Sequence, residues 1–217
     1  MTATVGPPEI RAYGDRGLML ACREDEVPVW LAAIDDLDDP RILEVCPGAA
    51  TVMVRFDPLR CTAADVTAVL ARLSPTMVET SPVSHLVEVP VVYDGIDLAD
   101  LVRATGLRTD EVVALHCAPT YRVAFVGFAP GFAYLRGLDP RLTAPRLDSP
   151  RPEVPAGSVG IADQWTGVYP RSSPGGWRLI GRTPLSLWNE ADNPPARLSP
   201  GVSVRFVPVG AGDFDDA

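Results

Sequence analysis

Short apolar runs alternate with helically spaced ones through the first third of the chain. Residues 10–13 and 18–22 read as two strands joined by the turn Gly14-Asp15-Arg16-Gly17. Residues 29–37 have helical spacing and run into the acids Asp35, Asp36, Asp38 and Asp39, a solvated helix end. A β-branched run covers 50–56, and a helix is expected over 62–73, capped by Thr62 with Asp65 three residues on. Strands interleaved with two helices predict a small α+β sandwich. The polar, proline-punctuated stretch 74–82 reads as a linker, which divides the chain into domains 1–82 and 83–217.

After a further strand at 86–93, two helical patterns follow at 98–105 and 110–116, the second with Thr109 as its cap. From residue 121 to 209, short β runs alternate with proline and glycine, the pattern of a closed barrel or sandwich. Nine of the 18 glycines lie between Gly127 and Gly181, where the backbone must turn tightly or approach something closely. Between residues 127 and 184 there are also seven arginines against four acids, so this region is cationic in a chain of net charge −9. Such a set of loops predicts an anionic small ligand or an acidic partner surface.

Composition narrows the chemistry. All 19 basic residues are arginine, which excludes a P-loop lysine, a lysine Schiff base and a biotin-carrying lysine in this chain. Cys22, Cys46, Cys61 and Cys117 are scattered without metal or dithiol spacing, so no metal site is expected and buried thiols are the simplest reading. The acidic balance argues against nucleic acid as a partner. No apolar run approaches the roughly 20 residues a membrane helix needs, and the N-terminus has no leader pattern, so a cytoplasmic protein is expected.

His116 ends a helical pattern and is a candidate proton carrier, with helix capping as the alternative. Phe128, Pro130, Gly131 and Phe132 form a turn whose aromatics either pack in the barrel or bracket a small planar substrate. Arg146, Arg151 and Arg182 are the arginines expected to grip carboxylate or phosphate, Arg182 at the catalytic centre, with a solvated face or subunit ion pairs as the alternative. Tyr169 is either a donor to a ligand oxygen or part of the barrel wall. Ser158 and Ser173 lack a nucleophile elbow and are assigned to turns. Gln164, Gly175 and Gly176 complete the expected substrate-binding set.

The motifs AYGDRGLML (12–20), LHCAPTYRVAFVGFAPGFAYL (115–135), VPAGSVGIA (154–162) and SPGGWRLIGRTP (173–184) occur in fixed order. In them the chain resembles the family of the bacterial 5-oxoprolinase B-type subunit, the kinase inhibitor KipI, allophanate hydrolase subunit 1 and one half of the urea amidolyase carboxyltransferase region. The resemblance implies a C-terminal cyclophilin-like β-barrel after the small α+β domain. The partners it implies are a KipA-like, cyclophilin-like C-type subunit together with a LamB/YcsF-like A-type subunit; whether the isolated chain self-associates stays open. The implied activity is opening of 5-oxoproline to L-glutamate with ATP used by the assembled complex, this chain being inert alone and holding no cofactor by itself. The alternatives are an allophanate hydrolase or urea carboxyltransferase component, with biotin on another chain, and a KipI-like inhibitor of a sensor histidine kinase. In one departure from the family pattern, Trp165 stands where the family usually has Gln, with Gln164 one position earlier.

Overall fold

Alternation along the strands decides which faces meet in each half of the protein. The computed structural model describes residues 5–76 and 85–214, and the chain divides into two compact units, Met1–Ser81 and Pro82–Ala217. The expected linker lies largely at 77–84, outside the described residues. Among the described residues no helix is long and apolar enough to cross a membrane.

In the first unit, β1 (Glu9–Ala12), β2 (Gly17–Ala21), β3 (Ile42–Pro47) and β4 (Thr51–Phe56) form an antiparallel sheet in the order β1-β2-β4-β3. Helices α1 (Val27–Asp35) and α2 (Ala63–Leu70) pack on it. Val52, Val54 and Phe56 alternate inward from β4 to meet Leu18, Leu20, Trp30, Ile34, Val66 and Leu70. The expected box caps α2: Asp65 accepts from the Thr62 amide at 2.8 Å and donates its own amide to the Thr62 hydroxyl at 3.3 Å. Strand β3 has no counterpart in the sequence reading. Its pairing with β4 slips between Ile42 and Glu44 and it ends at Pro47, so the period-two pattern is broken where it would have shown.

The second unit is a barrel. Strand β5 (Leu86–Val91) leads into α3 (Leu98–Thr105) and α4 (Thr109–Cys117). Then come β6 (Tyr121–Val126), β7 (Ala133–Arg136), β8 (Arg151–Val154), β9 (Ser158–Ala162), β10 (Trp165–Val168), β11 (Ser173–Gly175), β12 (Arg178–Arg182) and β13 (Ser203–Pro208). Seven of these strands form one sheet in the order β12-β9-β10-β7-β6-β13-β5, while β8 and β11 make a separate ribbon. Val92 and Arg182 exchange two backbone hydrogen bonds of 2.9 Å each, which joins the two ends of the sheet into a ring. The fold class is thus the expected α+β arrangement of a small sandwich followed by a barrel. One detail differs at α4. Thr109 is its first helical residue, and Glu111 reaches back to accept the Arg108 amide at 2.8 Å, so the cap lies one position earlier than expected.

Inside the ring, Val89, Val91, Val123, Leu135, Val159, Ile161, Val168, Ile180 and Phe206 form the main core. A second cluster, Phe132, Val154, Ala162, Trp165, Tyr169, Trp177 and Leu179, covers the outward face of the same strands. Gly160 and Gly167 sit on that outward face because Trp177 rests on them. A Cβ on Gly160 would stand 3.1 Å from the Trp177 Cβ, and one on Gly167 would stand 3.3 Å from its ring and 2.8 Å from the Ala133 carbonyl. These motif glycines therefore serve packing of an indole against the sheet.

Candidate functional site

The loop after β6 holds an aromatic out of the barrel. Three short-range bonds close it: Ala129 N–H to Gly127 C=O at 2.8 Å, Phe132 N–H to Ala129 C=O at 2.9 Å, and Gly127 N–H to Phe132 C=O at 3.1 Å. Phe128 adopts φ = 67° and is 62 % exposed. For a residue with a Cβ this conformation costs roughly 1–2 kcal/mol. Pro130 is exposed at the tip, and Gly131 (φ = 81°) packs against Trp188. A cleft of about 360 Å³ opens here, lined by Val126, Phe128, Pro130, Gly131, Trp188 and Ala196 among others. The two phenylalanines do not bracket it together. Phe132 is fully buried, with ring centroids 5.1 Å from Trp177 and 5.2 Å from both Tyr134 and Tyr169, because it points into the outer aromatic layer.

Next to this loop, Phe125 and Tyr134 stack at 4.3 Å and 16°, both half-buried, with Trp165 edge-on to Phe125 at 5.4 Å. Trp165 is buried, so its indole fills the layer, and Gln164 is exposed on the two-residue turn between β9 and β10. Tyr169 belongs to the wall. Its hydroxyl occupies the space that a Cβ on Gly175 would take, so only glycine fits there. Gly175→Ala is expected to cost about 1–3 kcal/mol by displacing the buried Tyr169 ring, read as a lowered melting temperature with near-ultraviolet dichroism of the aromatic layer altered. Gly176 acts through its carbonyl, which accepts from the Leu147 amide at 2.8 Å.

The three arginines have different surroundings. Arg151 pairs with Asp97 at 2.5 Å, and the other oxygen of this buried carboxylate accepts from the Leu179 amide at 2.7 Å. Arg182 bonds to Asp94 at 2.9 Å. Both line a cleft of about 370 Å³ with Asp94, Ile96, Glu153 and Ser158. Arg146 is exposed and has no carboxylate partner among the described residues. Sequence reasoning passes over Asp94 and Asp97; the helix-start position of Asp97 is the signal that marks it.

His116 lies in none of these places. It is fully buried and stacked on Phe206 at 4.4 Å. Its Nδ1 is 2.7 Å from the Tyr93 hydroxyl and its Nε2 is 2.9 Å from the Thr166 hydroxyl. Thr166 donates onward to the Gly160 carbonyl at 3.0 Å, so its oxygen accepts from Nε2–H and leaves Nδ1 to accept from Tyr93. Burial pushes the His116 pKa down to about 3, which keeps the ring neutral. The proton-carrier expectation is therefore corrected: with both nitrogens engaged and the ring fully buried, His116 ties α4 to β10. Among the described residues no group of three potential metal ligands comes together.

Comparison with known proteins agrees with this layout. Residues 8–198 match the family described as carboxyltransferase domain, subdomain C and D. A protein named as the B-type subunit of 5-oxoprolinase from Escherichia coli O157:H7 is 43 % identical over 187 residues, spanning 85 % of this chain and 86 % of its own. Another of that name from Bacillus subtilis (strain 168) is 36 % identical over 95 % of both. The crystal structure of TTHA0988 aligns with 34 % identity and a TM-score of 0.77 over 90 % of this chain, which spans 40 % of that longer protein. Kluyveromyces lactis urea amidolyase, at 18 % identity and a TM-score of 0.73 over 99 % of this chain, shares the fold. The chain belongs to the carboxyltransferase-domain family of subdomains C and D, together with the proteins named as B-type subunits of 5-oxoprolinase.

Proposed function

We propose that this chain is the B-type subunit of a 5-oxoprolinase, a hydrolase complex that opens the lactam of 5-oxoproline to L-glutamate. The observation that carries this reading is the 43 % identity to a protein of that name over 85 % of the chain. A lactam amide is resonance-stabilised, so its hydrolysis gains from ATP: phosphorylation of the exocyclic carbonyl oxygen would make the carbonyl carbon a better electrophile for water, after which the ring C–N bond breaks and phosphate is released. With no lysine in this chain, a P-loop lysine is excluded here, so the nucleotide is held by another subunit or by other groups. The chain's own part is to bind and orient the small ring on the outward aromatic face and to offer cationic groups to its negative charge. The proposed partners are a LamB/YcsF-like A-type subunit together with a KipA-like C-type subunit, and the chain alone is proposed to be inert. Urea-type substrates rank second, since a yeast urea amidolyase is only 24 % identical over 80 % of this chain.

Glutamate release from 5-oxoproline with ATP is the direct measurement, made on this chain alone and on the chain co-assembled with its partner subunits. Turnover is expected only in the assembly. An assembled complex that is silent on 5-oxoproline and active on urea or allophanate would replace the lactam reading.

A further inference from the structure

The segment carrying Arg146 is pinned to the outer aromatic layer on both sides of that residue. The Ala144 carbonyl accepts from the Asp163 amide at 2.6 Å, the Pro145 carbonyl accepts from Arg178 Nε at 3.0 Å, and the Leu147 amide donates to Gly176 at 2.8 Å. These bonds lay residues 144–147 across the turn that leads into Trp177, whose ring meets Tyr134 at 5.4 Å and Phe132 at 5.1 Å. The backbone on both sides of Arg146 is thus held as a fixed strap beside this layer. Its charge acts on the Tyr134 and Tyr169 phenols: burial raises both, and Arg146 opposes that rise. Tyr134 is half-exposed, stacked on Phe125, and its hydroxyl has no hydrogen-bond partner among the described residues.

The contrast with the other two candidate arginines decides the assignment. Arg151 and Arg182 already face Asp97 and Asp94, so the charge of each is already met by a carboxylate of the protein. Arg146 has no carboxylate partner among the described residues, and its strap runs alongside Trp177, whose ring meets that of Tyr134. We propose that Arg146 and the Tyr134 hydroxyl anchor the carboxylate of a small cyclic acid whose ring lies against the Phe125–Tyr134 stack. This rests on the lactam reading above and identifies which part of 5-oxoproline this chain holds: the carboxylate, with the amide directed outward to groups supplied by the other subunits. Arg151 and Arg182 then organise the barrel around Asp97 and Asp94.

Two readouts test it. In the assembled complex, Arg146→Met is expected to raise the KM for 5-oxoproline about 10- to 100-fold with kcat within about threefold, Arg146→Lys to recover part of the loss, and Tyr134→Phe to raise KM about three- to tenfold. An unchanged KM in an active Arg146→Met complex overturns the assignment. Independently of turnover, saturation-transfer NMR on the full chain compares 5-oxoproline with its carboxamide. Binding of the acid in preference to the amide, lost in Arg146→Met while the dichroism spectrum is kept, supports the anchor; equal signals from wild type and variant overturn it. If the acid binds through Arg146 and the assembled complex does not open 5-oxoproline, the functional reading fails and the carboxylate anchor stands.

Discussion

Asp97→Ala is expected to lower the stability of the barrel unit by about 3–5 kcal/mol, a large part of what a domain of this size possesses. Three groups depend on this carboxylate. Arg151 would keep a charge that is three-quarters buried, with side-chain exposure of 25 %, and lose its counter-ion at 2.5 Å. The Leu179 amide of β12 would lose the acceptor at 2.7 Å that it has in a buried setting. The start of α3 would lose the side chain that ties it to β12, leaving the Asp97 N–H to Leu179 C=O bond of 2.9 Å as the nearest remaining link. Asp97→Asn keeps an acceptor for Leu179 and removes the charge, so it should fall between wild type and alanine. Combining it with Arg151→Met should recover part of the loss, because the unpaired guanidinium goes with its partner. Urea denaturation followed by the fluorescence of Trp177 and Trp165 reads all four proteins. A midpoint for Asp97→Ala within error of wild type would show that the pair contributes nothing to holding β12.

Acidification is expected to destabilise the barrel before its carboxylates titrate. His116 has an ordinary pKa near 6.5 in the unfolded chain and about 3 in the fold, so the native state binds fewer protons between these values. The stability associated with its neutral form is complete above about pH 6.5 and is lost progressively as pH falls toward 3, where the total reaches roughly 4 kcal/mol. In the barrel Asp139, held at about 2 by hydrogen bonds from Arg141, contributes the same sign of dependence at lower pH, as Asp39 does in the first unit through Arg41. The window between pH 6.5 and 4.5 therefore isolates the histidine. Replacing His116 with glutamine should flatten the slope of unfolding free energy against pH in that window, with some loss of stability at neutral pH from an imperfect bridge to Tyr93 and Thr166. A slope that persists unchanged in the variant would assign the acid sensitivity to other groups. The same variant, if folded, should leave the pH profile of the assembled enzyme as it was, because the imidazole contacts only protein groups.

Much of the fold is legible from local signals. The turn from Gly14 to Gly17, the Thr62–Asp65 box and the inward alternation of Val52, Val54 and Phe56 all follow from residues within a few positions of one another, and each appears in the structure. The motifs from Phe125 to Pro184 carry the family resemblance, since a glycine that seats an indole leaves its mark in the sequence. The misplaced site residues share one cause. Residue type alone does not place His116, Phe132 or the arginines, because their roles depend on partners far along the chain: His116 and Thr166 are 50 positions apart, Asp97 and Arg151 are 54 apart, and Asp94 and Arg182 are 88 apart.

Residue order alone therefore determined most of the elements, the absence of lysine chemistry and the family. The tertiary structure alone decided which histidine nitrogens are engaged, which phenylalanine of the Gly127–Phe132 loop meets solvent, and which of the three candidate arginines has no carboxylate partner among the described residues. Periodicity reports which face of a strand turns inward, but charge pairing and burial follow from strand register around a closed barrel. That register brings distant carboxylates to Arg151 and Arg182 and, among the described residues, none to Arg146.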